Sequence, residues 1–226
     1  MISVIIPTLD EERALSATLG IVLTQTGEFE VTVVDGGSTD ATTAIAKDLA
    51  ARDPRFRLLV SDKGRANQMN AGAAVADGEW LLFLHADTLL PASGLERIAS
   101  LPQTIQAGCF RHRFSCTGPM LRTLSWLHNQ RFRVTRLIYG DQGLFIRREF
   151  FVDLGGFPVC HMEDIAFGLQ LRSATRPIML PEAVVTDSRK FEQMGAWSAL
   201  AHAVSLLVRF RYEANVDGDR FFENYR

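Results

Sequence analysis

"WLLFLHADTLLP", residues 80–91, sets five apolar residues in a row and then turns polar at His85, with Asp87 two positions further on. A short apolar run closed by polar residues reads as a strand buried on both faces. Three earlier runs have the same character: "SVII" (3–6), "VTVV" (31–34) and "RLLV" (57–60). Helical-looking segments separate them, over about 11–24, 40–52 and 66–77. Strand and helix in alternation predict right-handed crossovers and a Rossmann-like α/β fold, a mostly parallel central sheet flanked by helices. Ligands of such sheets bind in the crevice beyond the carboxyl ends of the strands. The polar residues that follow each strand therefore form one group.

That group is Pro7, Thr8, Asp10 and Glu11 after the first strand, Asp35, Gly36, Gly37 and Ser38 after the second, and His85 and Asp87 after the fourth. The glycines after Asp35 allow the backbone to approach a ligand closely. Taken singly, Asp35 and Ser38 fit turn chemistry and helix capping equally well. A carboxylate beside a phosphate is repulsive unless a divalent cation lies between them, and Mg²⁺ or Mn²⁺ accepts hard oxygen ligands while neutralising a diphosphate. Neither G-x-G-x-x-G after the first strand nor G-x-x-x-x-G-K-[ST] anywhere is present, which removes the physical basis for dinucleotide and P-loop readings. "SDKGRANQMNAG" (61–72) surrounds Gly64 with Lys63, Arg65, Gln68 and Asn70. These are donors for a diphosphate, or a solvated loop entering a helix.

The 226 residues are 47% hydrophobic and 22% charged, with no linker-like stretch, and predict one globular domain. A formal net charge of -2 gives no footprint for bulk nucleic-acid binding. Cys109, Cys116 and Cys160 lack metal-ligand spacing and suit free thiols in a reducing cytoplasm. "MISVIIPTLDEE" lacks the basic start of a signal peptide, and the apolar run from Trp197 is too short to span a bilayer. A cytoplasmic protein is expected.

"VIIPTLDEE", "VVDGGSTD", "GRANQMNAG", "FLHADTLLP", "GDQGLFIRREFF", "GGFP" and "MEDIAFGLQLR" occur in that order and cover most of the chain. Together they resemble the family 2 glycosyltransferases of the GT-A fold, and within them a small bacterial branch often encoded near radical-SAM proteins. The resemblance implies a nucleotide-diphosphate sugar donor, a divalent metal, inversion at the anomeric carbon, a donor half over about 1–90 and an acceptor and catalytic half over about 91–226. It places Pro7, Glu11 and Asp35 at the nucleoside; Thr8, Gly36, Arg65 and Gln68 are further candidate donor contacts. "HAD" stands where the family has D-x-D, so Asp87 is the implied metal ligand, with His85 in place of the first acid. Gly36 stands where many members carry a second acid. Uridine is the family's usual base.

In the second half, Glu163 and Asp164 open a helix, where the dipole favours carboxylates. The resemblance makes Asp164 the general base, with Glu163 orienting the acceptor or the base. Asp141 and Gln142 match the acceptor-side loop, and Gly140 and Gly143 suit a tight turn there. His161, just before the acidic pair, is a candidate late metal ligand or a packed histidine. In "TDSRKFEQMG" (186–195), Arg189 and Lys190 resemble the element that closes over the donor in processive relatives, and Arg189 is a candidate diphosphate contact. The full Gln-x-x-Arg-Trp pattern is absent, which favours a single transfer.

Two stretches have amphipathic character. Residues 118–139 align Leu121, Leu124 and Leu127 near Arg122, Arg131, Arg133 and Arg136, and residues 197–214 add Arg209 and Arg211 to an apolar run. Packing on the core or on a second subunit is the favoured reading. Contact with the inner face of an anionic membrane is the other, and would suit a lipid-linked acceptor. Two other functions stay open. A sugar-nucleotide nucleotidyltransferase needs a glycine-rich basic loop where this chain has "PTLDEE". A non-catalytic nucleotide-sugar binder needs neither Asp87 nor the Glu163–Asp164 pair.

Overall fold

The computed structural model describes residues 1–160 and 162–188. Its first part runs β1 (Ile2–Thr8), α1 (Glu12–Leu23), β2 (Phe29–Asp35), α2 (Thr42–Arg52), β3 (Phe56–Val60), α3 (Arg65–Ala74) and β4 (Trp80–Phe83). The four strands and three helices expected from the alternation are all present. β1 pairs in parallel with both β2 and β4, and β2 with β3.

Side-chain period explains why this half is buried. Ile2, Val4 and Ile6 of β1 join Leu15 and Leu19 of α1 in one core cluster, while Ile5 points to the other face and joins Met69 of α3. Both faces of the strand are therefore apolar, as a parallel sheet between helices requires. α3 comes close because Gly72 has no side chain: a β-carbon there would lie 2.5 Å from Ile5 Cγ2.

The second part is β5 (Thr88–Leu89), α4 (Gly94–Ala99), β6 (Ala107–Phe114), α5 (Pro119–Thr135), a 3-10 turn (Gly140–Gln142), β7 (Leu144–Arg147), α6 (Arg148–Asp153), α7 (Glu163–Ala174) and β8 (Ile178–Thr186). All eight strands form one sheet in the order β3-β2-β1-β4-β7-β6-β8-β5. The sheet is more mixed than the alternation of the first ninety residues implies. β7 is antiparallel to β4 and to β6, β8 is parallel to β6, and β5 is antiparallel to β8. β6 alternates exposed Arg111 and Arg113 with buried His112 and Phe114, the pattern of a strand with one wet face.

An aromatic layer fastens the second part to β4. Phe83 lies 5.2 Å from Phe151 and 4.9 Å from Phe157, and Phe157 lies 4.6 Å from Phe167 of α7, centroid to centroid. Such ring pairs add about 0.5–1.5 kcal/mol each beyond simple burial. They place the start of α7 beside the end of β4.

Candidate active site

The loops after β1 and β2 are laced into one rim. The Asp10 carboxylate accepts the Thr39 backbone N–H at 2.7 Å, and Ser38 Oγ accepts the Asp10 N–H at 2.9 Å. The Glu12 N–H donates to Asp40 at 3.0 Å, while the Glu12 carboxylate accepts the Ala41 N–H at 3.1 Å. The Glu11 N–H donates to Thr42 Oγ1 at 2.8 Å. Asp35 is buried, and its carboxylate accepts the N–H groups of Gly37 and Ser38, both at 2.9 Å, together with the Ser38 hydroxyl. Thr8 is buried beneath it and donates to the Val34 carbonyl at 3.3 Å.

Gln68 has a different place from the one expected. It is buried, and its amide nitrogen donates to the carbonyls of Thr8 at 2.6 Å and Val34 at 2.8 Å. Both hydrogens are engaged, so Gln68 ties the ends of β1 and β2 together and offers no donor to a diphosphate. Gly36 is part of the same joint, since a β-carbon there would lie 3.0 Å from the Gln68 amide.

At the end of β4 the crevice becomes acidic and partly enclosed. Asp87 is half-buried, with Thr88 Oγ1 at 3.3 Å, and its backbone carbonyl accepts the Asp187 N–H at 3.1 Å. Asp187 was not among the residues expected here, and it arrives through the short β5–β8 pairing. One pocket is lined by His85, Arg65, Tyr139, Gly140 and Asp164 above a floor that includes Phe83, Phe157 and Phe167. A β-carbon on Gly140 would lie 2.5 Å from His85 Nε2 and 3.7 Å from Asp164 Oδ2. The absence of a side chain at Gly140 is what brings imidazole and carboxylate to the same point. Asp164 is held there by the Gly140 N–H, which donates to Oδ2 at 3.0 Å. Glu163 is buried beside it, 3.4 Å from Arg65 Nη1, an ion pair joining α3 to α7 across the crevice. Burial, and then the charge of Arg65, push His85 down to about 4, against the opposing pull of Asp87, Asp141 and Asp164. His85 is therefore a neutral imidazole at neutral pH.

Behind Gly140 lies a polar cluster that sequence reasoning found only in part. Asp141 sits 3.3 Å from His128 Nε2 and 3.7 Å from His112 Nε2. Burial alone would raise its pKa, but His128 and His112 more than offset that and hold the carboxyl below the ordinary range. Burial pushes His112 down to about 4, with His128 and Arg131 acting in the same direction. Gln142 is fully buried, and its carbonyl accepts Arg131 Nη2 at 2.9 Å and the Tyr139 N–H at 3.2 Å. It braces the turn from inside and does not face an acceptor. The Arg131 guanidinium stacks on the Tyr139 ring, 3.2 Å from its centroid. His112, His128, Arg131 and Tyr139 had no motif to mark them.

Residues 3–156, more than half of the chain, match the profile described as Glycosyl transferase family 2. The chain belongs to glycosyl transferase family 2. It is 30% identical over 212 residues to the PGL/p-HBAD biosynthesis glycosyltransferase of Mycobacterium bovis, covering 88% of this chain and 79% of that one. Among solved structures, it is similar to the mannosyltransferase PcManGT from Pyrobaculum calidifontis in complex with GDP-Man and Mn²⁺, with a TM-score of 0.60, 24% identity, and coverage of 81% of this chain and 56% of that one. It is also similar to S. aureus TarS 1-349 in complex with UDP-GlcNAc, with a TM-score of 0.66, 21% identity, and coverage of 82% and 58%. The chain thus spans little more than half the length of either solved neighbour, and these two likenesses establish its GT-A fold. It is a glycosyltransferase by family.

In this glycosyltransferase, His161 and Arg189 lie outside the described residues, as do residues 197–214. Among the described residues, no three His, Cys, Asp or Glu side chains are grouped to hold a metal ion by themselves. A divalent ion bound chiefly by a diphosphate and water needs only one or two protein carboxylates. Asp87, half-buried at the end of β4, fits that requirement.

Proposed function

We propose that this glycosyltransferase moves a single sugar from a nucleotide-diphosphate donor, with uridine as the base, to an acceptor hydroxyl, inverting the anomeric carbon. The observation that carries the reading is the meeting of His85, Arg65 and Asp164 in one pocket at the end of β4, with Asp87 two residues beyond His85. The rim formed by Pro7, Thr8, Glu11, Asp35 and Gly36 receives the nucleoside. Arg65, exposed along part of its side chain and paired with buried Glu163, meets the diphosphate as a cation. Asp87 would hold Mn²⁺ or Mg²⁺, which would screen the diphosphate charge and make the nucleotide a better leaving group.

Asp164 accepts the proton of the acceptor hydroxyl as its oxygen attacks the anomeric carbon. The nucleoside diphosphate departs from the opposite face, and direct displacement inverts the centre. Hydrogen bonding from the Gly140 N–H to Oδ2 keeps the carboxylate fixed. Glu163 holds Arg65, and Asp141 shapes the acceptor side through the 3-10 turn. A hydroxyl on a lipid carrier is the acceptor that would suit contact of the amphipathic stretches with a membrane.

Calorimetric titration of UDP, GDP and their sugars, with and without Mn²⁺, tests this reading on wild type and Asp87→Ala. Metal-dependent binding of one nucleotide, lost in the variant, is the expected outcome. No binding by any nucleotide would remove the donor site.

A further inference from the structure

We propose that the outer face of α5 docks this enzyme on an anionic lipid surface. The inference gains its purpose from the transfer reading above, but its test does not depend on that reading.

α5 has a mixed inner face. Its buried positions are Leu121, Ser125, Asn129 and Phe132, of which two are polar. They are polar because β6 pairs with β7 only at Ala107 and Gly108, leaving later backbone groups of β6 unserved on that side. The Asn129 amide supplies a substitute: its oxygen accepts the His112 N–H at 2.8 Å, and its nitrogen donates to the His112 carbonyl at 3.0 Å. Ser125 Oγ accepts the Phe114 N–H at 3.3 Å. The helix is thus bonded to the sheet by side chains that would ordinarily face water.

The outward stripe carries what would ordinarily be buried. Trp126 is 56% exposed, Leu127 47% and Val134 85%, with exposed Arg122 and Arg133 on the same helix. Pro119, Arg122, Thr123 and Trp126 line a shallow groove of about 380 Å³. From Arg97 to Gly140 the sequence holds seven Arg and no Asp or Glu, in a chain whose formal net charge is -2. Among the described residues, no carboxylate pairs with Arg111, Arg113, Arg122 or Arg133.

This chemistry selects the occupant. Tryptophan prefers the polar-apolar boundary of a bilayer, and arginine stems can lie along apolar surface while the guanidinium groups reach phosphate. An apolar helix stripe flanked by cations is the recognised form of an interfacial helix. A second copy docking through the same face would set Arg122 and Arg133 near their own counterparts, so self-association there is opposed. No helix among the described residues is long and apolar enough to cross a membrane.

The test is flotation of the full chain with vesicles of phosphatidylcholine alone or mixed with phosphatidylglycerol. Binding to the mixed vesicles, weakened by salt, is expected. Trp126→Ser should reduce it, and the double change Arg122→Glu with Arg133→Glu should reduce it at least about tenfold. All variants should keep wild-type nucleotide titration and thermal melting. The proposal is overturned if the full chain ignores anionic vesicles, if both variants bind undiminished, or if Trp126→Ser instead dissolves a dimer. Vesicle binding without nucleotide binding would keep this surface and remove the transfer reading.

Discussion

The rim after β1 and β2 and the cluster behind Gly140 are both polar and both lie beside strand ends, yet their hydrogen bonding is opposite. In the rim, Asp10, Glu12, Ser38 and Asp40 exchange bonds with backbone N–H groups across the two loops, and Asp35 accepts those of its own loop. In the cluster, both ring nitrogens of His112, two guanidinium nitrogens of Arg131 and the Gln142 amide nitrogen are buried without a hydrogen-bond partner among the described residues, as is His85 Nε2 in the adjoining pocket. Buried polar groups of that kind each cost about 1–3 kcal/mol. The first region is a rigid cradle assembled from turn residues. The second stores polarity close to Asp164 and depends on its packing to hold it.

The largest expected effect lies in the second region. Asp164→Asn keeps the shape beside Gly140 but removes the base, so transfer should fall by roughly 10²–10⁴, while calorimetric nucleotide affinity stays near wild type. An unchanged transfer rate would move the base elsewhere.

Acid should expose the same region. His112 is held near 4, below the 6.5 of an unperturbed imidazole, so the unfolded chain takes up its proton first as pH drops. The stability contributed by the neutral ring is complete above 6.5 and is lost as pH falls towards about 4. For a side chain this buried the loss is about 3 kcal/mol. Asp141 does not enter that window, because its lowered pKa removes stability only below the ordinary 3.8. Urea midpoints measured from neutral pH down to mild acid should fall steeply in wild type and less in His112→Gln. Equal slopes would show that His112 titrates as an exposed ring.

Gly140→Ala is next. The new β-carbon would meet His85 Nε2 at 2.5 Å, whereas the same change at Gly118 would meet nothing within 4 Å. Overpacking should cost about 1–3 kcal/mol and slow transfer, with Gly118→Ala near neutral in both assays. Equal behaviour of the two alanines would mean that the pocket yields. The smallest effect belongs to the rim, where Ser38→Ala removes bonds to Asp35 and from Asp10 and should cost about 1 kcal/mol in urea unfolding. A loss as large as that of Gly140→Ala would erase the contrast between the two regions.

Legibility in the sequence follows the same division. β1, β2 and β4 were readable because residues buried on both faces produce nearly continuous apolar runs. β3, an edge strand with Val60 exposed, was readable from its apolar run alone, and the polar ends mark the crevice. Asp164 and Arg65 were readable from motif position, and both line the pocket. Gln68 and Gln142 sit in those motifs too, but their amides serve strand ends and a turn, and no linear pattern separates a buried amide from a ligand-binding one. α5 met its expected face in part: Leu121 is buried and Leu124 half-buried, but Leu127 is outward and Asn129 inward, because the unpaired part of β6 needs polar partners.

The sequence by itself determined the four parallel strands, the helices between them and the family, since period and local motifs are properties of neighbouring residues. Only the tertiary structure decided that Gly140 sets His85 against Asp164, that Asp187 stands across from Asp87, and that two histidines flank Asp141. Each of these depends on which distant strand completes a ladder, and that is fixed by packing the whole sheet.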